Sequence, residues 1–75
     1  MEVDALRVDE RNLLRFIRDR GPMTLRQIKR QYKIHASKRD RISDDLTRFG
    51  LVTFYGNAQG WTVVHATPKS APLRL

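Results

Sequence analysis

Leu13, Leu14 and Ile17 recur at the three- and four-residue spacing of one helical face, with Leu6 and Phe16 as flanking apolar contacts. Arg11, Arg15 and Arg18 fall on the other side. Asp9 is a favourable N-cap type, and Val8 and Leu13 occupy the two places of a hydrophobic staple around it. Gly21-Pro22 closes the pattern, because Gly suits the residue after a helix and Pro cannot continue the ladder. The spacing predicts a first helix over about residues 9–20.

Leu25, Ile28 and Tyr32 form a second inward stripe. Its start is well marked. Thr24 and Gln27 match a capping box, and Met23 with Ile28 a second staple. Arg26, Lys29, Arg30 and Lys33 lie outside the stripe, which breaks over residues 33–36. Ile42, Leu46 and Phe49 predict a third helix, opening at Ser37 with Asp40 three residues on and closing at Gly50.

The period then changes from helical to alternating. Residues 51–55 (LVTFY) and 61–65 (WTVVH) are rich in β-branched and aromatic side chains. The five residues between them begin and end with Gly, which predicts a hairpin. Two strands are not stable alone, so the hairpin must pack on the helices or gain a third strand, for which residues 21–25 are available. The pattern gives an α+β domain of three helices and a two-stranded hairpin over residues 9–66. Residues 1–8 are an N-terminal extension. Residues 67–75, with Pro68 and Pro72, are expected to be a flexible tail.

Composition narrows the class. Seventy-five residues make one domain at most. The absence of Cys excludes disulfides and thiolate metal ligands. No apolar run approaches the roughly 20 residues that span a bilayer. The first eight residues carry two acids and lack the basic opening of a signal peptide. An intracellular setting, cytoplasmic, nucleoid or nuclear, is therefore expected.

Charge changes the picture more. Residues 20–41 hold eight of the fifteen Lys and Arg residues and one acid, Asp40. The rest of the chain is balanced, so the whole net charge of +7 lies in this stretch. Such concentration in a helix, a turn and the start of a second helix implies an anionic partner.

The order helix, short strand, helix, turn, helix, hairpin resembles that of winged helix-turn-helix domains over most of the chain. The resemblance is carried by residues 22–28 (PMTLRQI), by Ser37 through Gly50-Leu51-Val52, and by Gly60-Trp61. It implies double-stranded DNA binding by the second helix and the first turn of the third, in a transcription regulator or an accessory domain of a replication protein. Lys38, Arg39 and Arg41 would then face base edges. Ser37 would receive a phosphate, and Arg26, Lys29, Arg30 and Lys33 would follow the backbone. Arg48, on the exposed face of the third helix, completes the set. A homodimer and a larger protein partner are both open; no membrane partner is expected.

Two features depart from the family's usual pattern. Asp44 and Asp45 stand four residues from Arg48 and Arg41, so the third helix partly neutralises itself. The hairpin has no Lys or Arg between Leu51 and Thr67. Asn57 and Gln59 at its tip offer hydrogen bonds without Coulomb attraction. Both features suit a rival reading, a protein-interaction module that uses the uncharged wing.

Other chemistry is sparse. Phe16, Tyr32, Phe49, Phe54 and Trp61 sit within apolar periodicities and are expected in the core, with Tyr55 left open. His35 and His65 are read as surface residues and not metal ligands. Asp40, Asp44 and Asp45 are read as ion-pairing groups and not a carboxylate metal site. Nothing resembles a catalytic set or a phosphate loop, so neither an enzyme nor a cofactor is expected.

Overall fold

A computed structural model of the chain describes residues 5–75. It is an α+β domain with helices α1 (Val8–Arg20), α2 (Leu25–Gln31) and α3 (Ala36–Arg48), and strands β1 (Met23–Thr24), β2 (Val52–Gly56) and β3 (Thr62–Ala66). A 3₁₀ turn, Pro68–Ser70, follows. The sheet is antiparallel in the order β1-β3-β2, so the expected two-stranded hairpin has a third member. Met23 pairs with Val64 and Thr24 with Val63, which places β3 at the centre. No helix among the described residues is long and apolar enough to cross a membrane.

Leu13, Leu14 and Ile17 of α1 meet Ile28, Ile42, Leu46, Leu51, Val52 and Val64 in one buried cluster. Leu6 belongs to it too, so the fold begins before Asp9. The first four residues of the expected extension lie outside the described ones. Phe16, Tyr32 and Phe49 pack against the cluster as expected, with the Phe16 and Tyr32 rings 5.0 Å apart.

The start of α1 differs from the sequence expectation. The N-cap is Arg7, and its backbone N–H donates to Glu10 Oε1 at 2.9 Å. Val8 is 65% exposed, so it forms no buried staple with Leu13. Asp9 is released from capping and turns to α3 instead.

The start of α2 follows the sequence closely. Gln27 N–H donates to Thr24 Oγ1 at 3.1 Å, and Thr24 N–H donates to Gln27 Oε1 at 2.9 Å. Thr24 is also the last residue of β1, so strand becomes helix at a single residue. Met23 and Ile28 are both buried.

The end of α3 sets the hairpin. Gly50 has φ +74°, where a Cβ would strain the backbone. Its N–H donates to Thr47 O and that of Leu51 to Leu46 O, both at 2.9 Å. This is a Schellman motif, and its two apolar members, Leu46 and Leu51, are fully buried. Leu51 therefore belongs to the helix exit, and both strands start one residue later than expected. Only Val52 of β2 is buried, so the far half of the hairpin projects from the core.

The C-terminal segment is folded back and does not trail as an extended tail. Thr67 N–H donates to Leu51 O at 2.9 Å, and Thr67 Oγ1 to Gly50 O at 2.6 Å. Ser70 is buried and donates its hydroxyl to Thr67 O at 2.7 Å. Arg18 donates to Leu73 O at 2.6 Å and Ser70 O at 3.2 Å. Leu73 and Leu75 pack on the core. Pro68 supplies the first residue of the turn, where its missing N–H costs nothing.

Candidate nucleic-acid interface

With Ile28 buried and Leu25 and Tyr32 partly buried, Arg26, Lys29 and Arg30 turn outward within about 100° of one another around α2. All three are exposed, as is Lys33 just past the helix end. Among the described residues none of these four has an acid within ion-pair distance. Arg26 with Lys29 and Arg26 with Arg30 are like-charge pairs at i, i+3 and i, i+4, which destabilise a short helix by roughly 0.2–0.5 kcal/mol each. The stripe therefore weakens the element that bears it, and an anion alongside would relieve that repulsion.

The start of α3 is less open. Its N-cap is His35 and not Ser37; His35 Nδ1 accepts from Ser37 N–H at 3.2 Å and lies 2.8 Å from Ser37 Oγ. The backbone donor expected to receive a phosphate is thus already used. Lys38 Nζ is 3.7 Å from Asp9 Oδ2. The Arg39 side chain is only 14% exposed, 4.0 Å from Asp40. Arg41 donates to Asp9 Oδ2 at 2.6 Å and lies 3.8 Å from Glu10 and 3.7 Å from Asp45. Arg48 pairs with Asp45 at 3.3 Å, not with Asp44 as its spacing suggested. α3 presents acids outward beside its bases: Asp44 is exposed and the Asp40 side chain is 76% exposed, against 72% for Arg48.

The contact between α1 and α3 is a cluster of opposed charges. Burial pushes the Asp9 carboxyl up, but the hydrogen bond and charge of Arg41, the Glu10 backbone and Lys38 outweigh it and hold Asp9 below its ordinary value. Glu10 is pushed up, first by burial and then by Asp45 beside it. Asp45 is held down, chiefly by the hydrogen bond it shares with Glu10 and then by Arg48, Arg41 and Arg7 against some desolvation. Asp9 Oδ1 and Arg41 Nη1 are buried without a hydrogen-bond partner, as is Glu10 Oε2 while Glu10 is ionised; the bond to Asp45 needs a proton on Glu10. Arg41 is thus a fastener between helices. The sequence carried no local sign of this, since Asp9 and Arg41 are 32 residues apart.

The hairpin adds what the periodicity missed. Phe54 and Trp61, expected in the core, are exposed, as is Tyr55. The Arg26 guanidinium lies over the Trp61 ring, 5.7 Å from its centroid. Asn57 is committed within the loop: its Oδ1 accepts from Gln59 N–H and Trp61 N–H, both at 3.0 Å.

No protein-family model, curated protein or solved structure matches the chain.

Proposed function

We propose that the chain is a winged helix-turn-helix domain that binds double-stranded DNA mainly through the basic stripe of α2. The order α1-β1-α2-α3-β2-β3 supports the architecture. The single observation that carries the function is that Arg26, Lys29, Arg30 and Lys33 are exposed, close along the chain and free of acidic partners among the described residues. Unneutralised cations at such density attract phosphates and release their counterions.

The geometry of α3 refines this reading. Lys38 and Arg41 are drawn towards Asp9, and Asp40 and Asp44 face outward. Deep insertion of this face beside phosphates would meet repulsion. The contacts are therefore to the backbone, which positions a protein but reads no bases. Weak sequence preference follows.

A test is a titration of labelled duplex with the wild type and with Lys29→Glu/Arg30→Glu. Both side chains are exposed, so the variant folds. A loss of tenfold or more is expected; unchanged affinity overturns the assignment to α2.

The second reading, a protein-interaction module, is favoured by one observation: Phe54, Tyr55 and Trp61 are exposed on a hairpin that carries no Lys or Arg. A protein held there would bind with little dependence on salt.

A further inference from the structure

Beside the polar tip of the hairpin, Tyr55 and Trp61 are half exposed, and Trp61 lies against Arg26 of the basic stripe. Tyr55 pairs with Val63, and Trp61 lies two residues from Val63 along the chain. Tyr55 and Trp61 therefore occupy diagonal places on one face of the ribbon, within reach of each other's neighbourhood for side chains of this size. It is the face opposite Val52 and Val64, which enter the core. Both rings are 48% exposed. The backbone of Trp61 is held at both ends: its main-chain N–H donates to Asn57 Oδ1 and its carbonyl accepts from Asn57 N–H at 2.9 Å.

We infer that this Tyr55–Trp61 face stacks on an unpaired nucleotide adjoining the duplex that α2 holds. The inference rests on the DNA-binding reading and extends it. With no cation in the hairpin, the face has nothing to offer phosphates. It has two π-surfaces, and aromatic rings beside a positively charged groove are the recurrent platform for unstacked bases. Bases inside an intact duplex are covered by their neighbours, so away from its two terminal pairs only unpaired bases present a free face. Arg26 joins the two surfaces. Its guanidinium covers part of Trp61 and belongs to the stripe that attracts the backbone. Charge complementarity favours a nucleic acid over an apolar protein, which would have no use for the adjacent cations.

Trp61 is the sole tryptophan, so its fluorescence reports the contact directly. The experiment titrates the protein with a blunt duplex and with the same duplex carrying a short thymidine extension, following anisotropy and intrinsic fluorescence. The extended duplex is expected to bind about tenfold tighter and to quench Trp61, while the blunt one leaves it nearly unchanged. Trp61→Leu should erase the preference and keep the affinity for blunt duplex; Tyr55→Leu should reduce it. Equal affinities with no quenching would overturn the stacking role and leave duplex binding intact. Failure to bind either DNA would remove both readings. A Trp61 signal that changes with protein concentration, without DNA, would assign the face to a second copy of the chain and overturn the inference.

Discussion

Arg41 of α3 donates a 2.6 Å hydrogen bond to Asp9 of α1, joining two helices through residues that the sequence suggested for other tasks. Asp9 suggested a helix cap and Arg41 a DNA contact. Hydrogen bonds to charged groups contribute about 1.5–3 kcal/mol, and the partial exposure of both side chains lowers that. Asp9→Asn is expected to cost about 1 kcal/mol in urea unfolding. Arg41→Met should cost at least as much, because it leaves Glu10 without its cation and Asp9 with Lys38 alone. Additive losses in the double variant would show that the pair is not coupled. Charge reversal at Arg41 is accordingly a poor probe of DNA binding, since it attacks the fold first.

The same cluster gives opposed pH dependences. Asp9 and Asp45 have lowered folded values, so their contribution is present above the ordinary 3.8 and is lost as pH falls through the lowered values. Glu10 has a raised value. Its folded form keeps a proton that the unfolded chain releases above 4.5, so stability falls as pH rises from there through the raised value. Glu10→Gln retains an acceptor for Arg7 N–H and removes this second slope. The variant should gain on the wild type as pH rises through the Glu10 titration. A variant less stable than the wild type at pH 7, with the wild-type slope unchanged, would contradict the assignment.

Thr24 ends β1 and caps α2, so its loss acts on both. Thr24→Ala should destabilise by about 1–2 kcal/mol, while Thr24→Ser, which keeps the hydroxyl, should cost less. Because α2 carries the basic stripe, hydrogen exchange in Leu25–Gln31 should quicken in the Ala variant. Uniform exchange in both variants would show that the cap is dispensable.

The C-terminal segment is expected to contribute stability. Removing residues 68–75 uncovers the apolar surface under Leu73 and Leu75 and leaves Arg18 without its two carbonyl partners. A loss of about 1–3 kcal/mol is expected, within the range for exposing one or two apolar side chains. A truncated chain as stable as the whole would restore the picture of a loose tail.

The elements were legible where a local device marks them. The Thr24–Gln27 box, the inward stripes of the three helices and the Gly50 exit each lie within a few residues of sequence. What was not legible was set by distance. Asp9 meets Arg41 and Arg18 meets Leu73 only after the helices pack. His35 took the cap from Ser37 because an imidazole nitrogen accepts as a hydroxyl does. Trp61 and Phe54 obey a strand's alternation, but the hairpin outruns the core, so alternation no longer implies burial. Of the candidate contacts, the α2 set stands free because its helix has no acids. Those on α3 share theirs with three aspartates and reach a fourth on α1.

The most direct measurement is the salt dependence of binding to a labelled random-sequence duplex, followed by anisotropy between roughly 50 and 200 mM salt. Four phosphate contacts from α2 predict a slope of log K against log salt of about −3 to −4, and Lys29→Glu/Arg30→Glu should reduce its magnitude by about 2. No binding at the low-salt end, or binding indifferent to salt and to the variant, would contradict the account and direct attention to a protein partner at the hairpin.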